Sequence, residues 1–360
     1  MSDMRNIILD TARRLFGNFG APETCATTGV WAQDLWSQLE ENGFTAVDED
    51  GLTYVDGLAL LQVAGYYAVP LPLAESILAS KILADLGLEK PDGVLTLGLV
   101  TDGEVAAGVD GVSITGRWRD VPWARQADAV LLCAPTADGQ TFVALFWKED
   151  FQVEPHYNLA SEPLDVLTVN GVKPRAYVVV KESHQDLLVH AALTRILQGA
   201  GALEKVLDMT IQYAGERSQF GRPLAKFQAI QQQIAIMAGE TAAFLVIAAK
   251  AFKALESIVE TNDSDISIVH AVDQGDDRTA MNDLVKATVL AKIRLAQAAH
   301  VSPTHSHQVH GAMGITEEYS LHYYTRRVWS YRHEYGNERF WGDVLLSVLG
   351  ESDVWEFITA

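Results

Sequence analysis

Residues 213–233 read YAGERSQFGRPLAKFQAIQQQ and decide how the rest of the chain is interpreted. The segment places one arginine, Arg217, among residues that suit a bound phosphate group. Its planar guanidinium offers a fork of donors that fits two phosphate oxygens, and the pair Phe220 and Gly221 lets the backbone approach such an anion. Pro223 suits the first turn of a following helix. The stretch predicts an anion clamp between two helices, and the alternative is a solvated arginine in a turn.

A second motif, QVHGAMGITEE at residues 308–318, lies downstream of the first. The pattern Arg-x-x-Phe-Gly-x-Pro-(x)3-Phe-Gln-x-Ile-Gln, together with this glycine-containing stretch, resembles two signatures of the acyl-CoA dehydrogenase family. A weaker likeness extends over the whole chain. Enzymes of this family bind FAD and remove the α-proton and the β-hydride of an acyl-CoA thioester.

The resemblance implies that both motifs hold the FAD of a neighbouring subunit. Residues expected to contact the adenosine diphosphate half of FAD are Arg217, Gln219, Phe220, Phe227 and Gln228. Residues expected beside the same cofactor are Gln308, Val309, His310, Gly311 and Ala312. FAD is therefore expected to be shared across a subunit interface.

The order of patterns along the chain predicts an α+β fold of three domains. Helical spacing in residues 1–92 predicts an N-terminal helical domain. Short apolar runs bounded by turn residues in 93–182 predict a middle antiparallel β-barrel or sandwich. Long amphipathic segments such as 284–299 predict a C-terminal four-helix bundle over 183–360, carrying the two motifs. The family resemblance implies the same order.

Composition and charge restrict the location and the partners. A chain of 360 residues with 48% hydrophobic content can bury a large core. Neither a leading apolar segment nor a run of roughly 18 apolar residues is present, which predicts a cytoplasmic protein without a membrane span. The net charge of −20, from 47 acidic and 27 basic side chains, disfavours nucleic acid. It would also repel the phosphates of CoA, which must meet a local basic patch or another chain.

The carboxylate that the family uses as a base is missing from both of its usual positions. That base stands beside the substrate α-carbon, and burial raises its pKa so that it works near neutral pH. In most members it is a Glu directly before a Gly near the C-terminus. Counting from the second motif puts Gly336 on that glycine, so Tyr335 replaces the base. Other members carry it upstream of the first motif, where this chain has Ala191 and no carboxylate between Asp186 and Glu204.

The flavin-ring pocket is also altered, and one displaced base remains a candidate. Glu334 lies close to the expected position, although a shift of one residue aims a side chain elsewhere. Residues 116–124, GRWRDVPWA, replace the strand that holds the ring, with Pro122 where a flavin-bonding Thr would stand. Proline has neither a hydroxyl nor an N–H to make those contacts. The chain is expected to lack its own ring pocket, and Glu334 is its only candidate catalytic residue.

Three hypotheses follow from a retained clamp and a lost base. The first is the non-catalytic subunit of a heteromeric acyl-CoA dehydrogenase, similar to bacterial steroid side-chain enzymes built as two-plus-two (α2β2) tetramers. It implies a catalytic partner subunit, a bulky acyl-CoA substrate, and electron-transfer flavoprotein or another electron acceptor. The second is a self-sufficient homomeric dehydrogenase that uses Glu334. The third is a flavin-free scaffold or regulator.

Histidines near the second motif offer a further candidate site. His300, His305, His307 and His310 are closely spaced, as metal ligands can be. Spacing alone shows neither convergent geometry nor supporting partners, and the cluster overlaps the motif expected beside FAD. No metal site is predicted.

Overall fold

A computed structural model describes residues 3–19, 31–47, 52–99, 105–107, 113–136, 140–181, 184–262 and 275–349. The helices are α1 (Asp3–Phe19), α2 (Gln33–Glu41), α3 (Tyr54–Tyr66), α4 (Leu73–Asp85), α5 (His184–Glu216), α6 (Gln228–Asn262), α7 (Gly275–His310), α8 (Leu321–Tyr331) and α9 (Glu338–Leu349). The strands are β1 (Leu95–Leu99), β2 (Val105–Ala107), β3 (Ile114–Pro122), β4 (Ala129–Pro135), β5 (Thr141–Trp147), β6 (Gln152–Glu154), β7 (Leu164–Val172), β8 (Ala176–Val180), β9 (Ser218–Gln219) and β10 (Arg222–Pro223).

The N-terminal helices pack closely against the first long helix of the C-terminal region. Most residues of α3 and α4 are buried, and in α4 these include the polar residues Glu75 and Lys81. At the crossing of α3 and α5, a Cβ added at Gly65 would lie 2.0 Å from the Gln198 carbonyl oxygen. One added at Gly201 would lie 1.9 Å from the Gln62 carbonyl oxygen. Only glycine allows two helix backbones to approach this closely.

The middle region forms two four-stranded sheets, ordered β1-β4-β5-β8 and β2-β3-β7-β6. This confirms the predicted sandwich, with one correction to its antiparallel character. Strand β1 pairs in parallel with β4, because the chain leaves β1, builds β2 and β3 in the other sheet, and returns in the same direction. Strand β1 is buried along its whole length, as parallel strands usually are.

The C-terminal region confirms the predicted helical bundle. Helices α5, α6 and α7 pack against one another, and α8 lies against α5 and α7. The α+β order of helices, sheets and helices is therefore the observed one. A single hydrophobic core includes residues of all three regions, so the domain boundaries at residues 92 and 182 stay predictions.

Helix α6 exposes an unusually apolar surface. By length and composition alone, the segment Gln228–Ile258 could cross a membrane, with a hydropathy of 1.7 and 28% of its window buried. A helix that packs an apolar face against another protein passes the same test, so the absence of a membrane span stays a prediction. The exposed residues that form this surface, here called the α6 stripe, are Ala235, Gly239, Ala242, Val246 and Ala249.

Candidate functional site

The first motif forms a tight hairpin directly after α5. Strands β9 and β10 pair antiparallel, and the two residues between them, Phe220 and Gly221, have φ angles of 51° and 79°. Positive φ at both central positions is typical of a type I′ turn. Few residues other than glycine adopt these angles readily. The Phe220 side chain is 91% exposed. A Cβ added at Gly221 would meet no atom within 4 Å, so the backbone at this tip is open to another molecule.

The position of Pro223 corrects one detail of the sequence prediction. Pro223 lies in β10 and precedes a 3-10 turn at Leu224–Lys226, whereas α6 begins at Gln228. Its ψ of 146° is extended, which suits the strand and not a first helical turn. The predicted start of the helix at Pro223 was wrong by one short turn.

Arg217 is held by its backbone and leaves its side chain in solvent. Its N–H donates to the Tyr213 carbonyl at 2.9 Å, and its carbonyl accepts from the Leu224 N–H at 2.8 Å. The guanidinium is exposed and has no hydrogen bond or ion pair to any described residue. Arg222, by contrast, lies over the Phe227 ring at 4.1 Å. Arg217 therefore presents an unused fork of donors on a fixed piece of backbone.

The second motif lies beside the first, joined to it by a stack of rings. The His310 ring stacks on Tyr213, four residues before Arg217, with centroids 4.3 Å apart. The Tyr213 hydroxyl donates to the His310 carbonyl at 3.3 Å. Since the Ser306 carbonyl can only accept, His310 Nδ1 donates to it at 2.7 Å, and Nε2 is left to accept from Tyr319. Burial lowers the pKa of His310, in agreement with a neutral ring.

The five residues of the second motif that were expected beside FAD differ in their exposure. Val309 and His310 are buried, whereas Gln308, Gly311 and Ala312 are exposed. Gly311 has a φ of 60°, and a Cβ added there would meet no atom within 4 Å. Of these five residues, Gln308, Gly311 and Ala312 are therefore accessible to another molecule.

The position at which the family resemblance places the catalytic base holds an aromatic side chain. Tyr335 has a φ of 55° and is followed by Gly336 at 101°. The Tyr335 ring is buried, with the Arg195 guanidinium 5.0 Å from its centroid and the hydroxyl 3.5 Å from Glu75 Oε1. Burial raises the pKa of Tyr335, so the phenol stays protonated. The alternative position, Ala191, is buried in α5.

Glu334 is an ion-pair partner in the interior. It accepts from Arg195 Nε at 2.6 Å, from Ser330 Oγ at 2.8 Å and from Asn158 Nδ2 at 3.0 Å. Burial alone would raise the pKa of Glu334, but Arg195 and these hydrogen bonds hold it below its usual value. A base that works near neutral pH needs a raised pKa. The surroundings of Glu334 suit a permanent carboxylate.

A buried network around Arg195 connects distant segments, and sequence reasoning missed it. Arg195 also donates to Glu75, which lies 120 residues away on α4. Lys292 donates to the carbonyls of Tyr331 at 2.8 Å and Glu334 at 2.6 Å. Burial lowers the pKa of Lys292 to about 7. A buried arginine one turn after Ala191 was the available sequence signal, since an interior charge requires partners.

The altered strand around Pro122 offers little to a flavin ring. The Pro122 carbonyl already accepts from Thr96 Oγ1 at 2.6 Å. Pro122 lines a cavity of about 370 Å³ together with Asp120, Glu334 and Tyr335. A ring pocket built on N–H and hydroxyl donors would find neither at Pro122. Pro122 therefore offers a flavin ring neither of the two contacts expected at this position.

The histidine cluster is occupied by protein contacts. His307 Nε2 lies 2.9 Å from Thr325 Oγ1, and the His300 ring meets the edge of Trp329. Over the described parts of the chain, no three His, Cys, Asp or Glu side chains are grouped to hold a metal ion.

Comparison with known proteins finds one matching family model and several similar relatives. The family model described as "Acyl-CoA dehydrogenase, C-terminal domain" matches residues 182–340. FadE27 of Mycobacterium tuberculosis is 30% identical over 233 residues, which cover 56% of this chain and 61% of that relative. The chain thus spans less than two thirds of that protein. IpdE2 of Mycolicibacterium smegmatis is 26% identical over 340 residues, which cover 91% of this chain and 93% of that relative.

Solved structures agree on the fold. The ChsE4-ChsE5 complex of Mycobacterium tuberculosis contains a chain with a TM-score of 0.81 and 21% identity, covering 98% of this chain and 99% of that chain. The Tcur3481-Tcur3483 steroid acyl-CoA dehydrogenase variant has a TM-score of 0.78 and 20% sequence identity, covering 97% of this chain and 98% of that chain. The fold is therefore the acyl-CoA dehydrogenase fold. Residues 182–340 thus match the C-terminal domain of acyl-CoA dehydrogenases, and the relatives similar to this chain carry the name acyl-CoA dehydrogenase.

Proposed function

We propose that this chain is the non-catalytic subunit of a heteromeric acyl-CoA dehydrogenase. It binds the adenosine diphosphate half of an FAD whose ring is held by a catalytic partner subunit. One observation carries the proposal: the cofactor clamp is open, whereas the catalytic position is filled. Arg217 has an unused guanidinium at the surface, while Tyr335 and Arg195 occupy the interior where a base would act.

The chemistry of the clamp supports binding of a pyrophosphate. Arg217 would meet two phosphate oxygens, and the open backbone at Gly221 and Gly311 would let the anion come close. A local cation is needed because the chain as a whole carries a charge of −20. When bound, FAD supplies the hydride acceptor. This chain orients the cofactor, and the base that removes the α-proton belongs to the partner.

The α6 stripe, which follows the clamp in the chain, supports the presence of a partner subunit. It begins within two turns of the start of α6, which directly follows the hairpin. Small side chains such as Ala235 and Gly239 let another helix approach, and Val246 is 72% exposed. The ChsE4-ChsE5 and Tcur3481-Tcur3483 structures are complexes of two named chains. We extend that arrangement to this chain, with a bulky acyl-CoA such as a steroid side chain as the substrate and electron-transfer flavoprotein or another acceptor receiving the electrons.

The direct test is the flavin content of the assembled complex with Arg217→Ala. Loss of charge-assisted hydrogen bonds of about 1.5–3 kcal/mol weakens FAD binding by about tenfold or more. Flavin absorbance per mole of complex after gel filtration should fall accordingly. Arg14→Ala is the matched control, since Arg14 is also exposed and, among the described residues, bonds to Thr11 of its own helix. Unchanged flavin in Arg217→Ala would favour the flavin-free scaffold instead.

A further inference from the structure

The cavity beside Pro122 has the character of a ligand site, although none of the clamp residues lines it. Its volume is about 370 Å³, at the lower end of the range for small-molecule pockets. Leu99, Leu159 and Leu164 supply an apolar wall. Asp120 and His333 supply polar groups on the same cavity. A mostly apolar pocket with a few convergent polar groups is the usual form of a binding site.

Asp120 has a strained backbone that directs it to this cavity. Its φ is 56°, in the left-handed region that residues other than glycine rarely adopt. The pairing of β3 with β7 shifts register between Trp118 and Val121, so Asp120 lies in a β-bulge. Bulges often redirect a side chain next to a functional site, and strained residues persist where the surroundings impose them. The fold therefore holds this carboxyl in place at a cost in stability.

The polar groups of the cavity divide into occupied and unoccupied ones. Glu334 and Asn158 are bonded to each other, and Glu334 is also paired with Arg195. Asp120 and His333 have no side-chain hydrogen bond to any residue in the described ranges. Burial and the charge of Glu334 raise the pKa of Asp120, while partial burial lowers that of His333. A carboxyl group and a neutral imidazole are thus both free to bond a ligand.

The rim of the cavity is already fixed in position. Arg326 donates to the Leu159 carbonyl at 2.7 Å, and Arg327 Nε donates to Glu162 at 2.9 Å. These bonds hold the loop between β6 and β7 on helix α8. Leu159 and Tyr157 nonetheless remain 57% and 58% exposed. A preformed apolar rim lowers the entropy cost of binding, because no loop has to be ordered.

We propose that this cavity binds a neutral apolar molecule that carries a hydroxyl group. The hydroxyl donates to the Asp120 carboxylate and accepts from the His333 imidazole, while the apolar body packs on Leu99, Leu159 and Leu164. Anionic ligands are disfavoured by the carboxylates of Asp120 and Glu334. The site goes beyond the proposed function, since it requires neither FAD nor the clamp.

Binding of a matched pair of probes to the full chain tests the proposal. The probes are 4-tert-butylcyclohexanol and 4-tert-butylcyclohexanecarboxylate, which differ only in their polar group, and saturation-transfer NMR gives their dissociation constants. The alcohol should bind, and the carboxylate should bind at least about tenfold more weakly. Asp120→Asn, which tolerates positive φ, should weaken alcohol binding about tenfold through loss of the charged acceptor. The control is Glu154→Gln, because Glu154 is an exposed carboxyl group on β6 outside the cavity. This substitution should leave alcohol binding unchanged.

Asp120→Gly separates strain from binding. Glycine adopts a positive φ without penalty, so the Tm should stay equal or rise while alcohol binding falls by about tenfold or more. Equal alcohol affinity in wild type, Asp120→Asn and Asp120→Gly would overturn the proposal. Failure of the alcohol to bind, or equal binding of the carboxylate, would do the same. None of these readouts involves flavin, so the result is independent of the proposed subunit role.

Discussion

At the residue scale, Glu334 and Tyr335 both contact Arg195, and both also line the cavity beside Pro122. The guanidinium is paired with Glu334 on one side and lies near the Tyr335 ring on the other. Removing one partner of a buried ion pair leaves an uncompensated charge, which costs more than the pair itself contributes. We therefore expect Glu334 and Tyr335 to stabilise the fold. Substituting them tests whether they affect the free energy of unfolding or the catalytic rate.

We expect Glu334→Gln to lower the free energy of unfolding by about 3 kcal/mol near neutral pH. The pKa of Glu334 is lower in the folded chain than its unfolded value of about 4.3, so its stabilisation is fully present above that value. It is lost as pH falls through the lower, folded pKa. The difference in urea midpoint between wild type and variant should therefore shrink as the pH falls below about 4. A difference that does not change with pH would contradict the ion-pair role.

The same variant distinguishes the subunit hypothesis from a self-sufficient enzyme. In the assembled complex, Glu334→Gln should leave the rate of flavin reduction by acyl-CoA unchanged, measured at saturating substrate in a stopped-flow spectrometer. A well-folded complex that loses this rate by orders of magnitude would identify Glu334 as the base.

At the element scale, the crossing of α3 and α5 positions the N-terminal helices against the buried network. Gly65 and Gly201 each lie against the backbone of the opposite helix. Arg195 and Gln198 lie on α5 within two turns of Gly201, and Arg195 donates to Gln198 at 2.8 Å. A displacement at this crossing would move the groups that hold Glu334.

We expect Gly201→Ala to destabilise the protein by about 3 kcal/mol or more, because the added Cβ would lie 1.9 Å from one backbone atom and 2.5 Å from another. Gly215→Ala on the same helix is the matched control, since its Cβ would meet no atom within 4 Å. It should be neutral or stabilising by up to about 1 kcal/mol, through helix propensity. Thermal unfolding of the two variants measures the difference, and equal Tm values would show that the crossing can relax.

The sequence predicted features that depend on residues close to one another along the chain. The turn at Phe220 and Gly221 and the order of helices, strands and helices could be expected from local pattern and resemblance. The Arg195 network could not, since Glu75 and Glu334 lie 120 and 139 residues from Arg195. The parallel pairing of β1 with β4 depends in the same way on a crossover that local periodicity does not report.

At the scale of the whole molecule, the paired charges lie in the interior and the clamp lies at the surface. Glu75, Asn158, Arg195 and Glu334 come from all three regions and meet in one buried network. The hairpin with Arg217 and the α6 stripe face outward on the C-terminal helices. This distribution supports the proposed role, in which the chain completes a cofactor site on a partner subunit that performs the chemistry.

The flavin content of the complex with a catalytic partner tests this account most directly. The partner and this chain should be co-expressed and purified as one assembly, and bound flavin measured against total protein. The account predicts half as many flavins as chains, with this chain colourless when expressed alone. One flavin per chain, or a yellow isolated chain that oxidises an acyl-CoA, would contradict it.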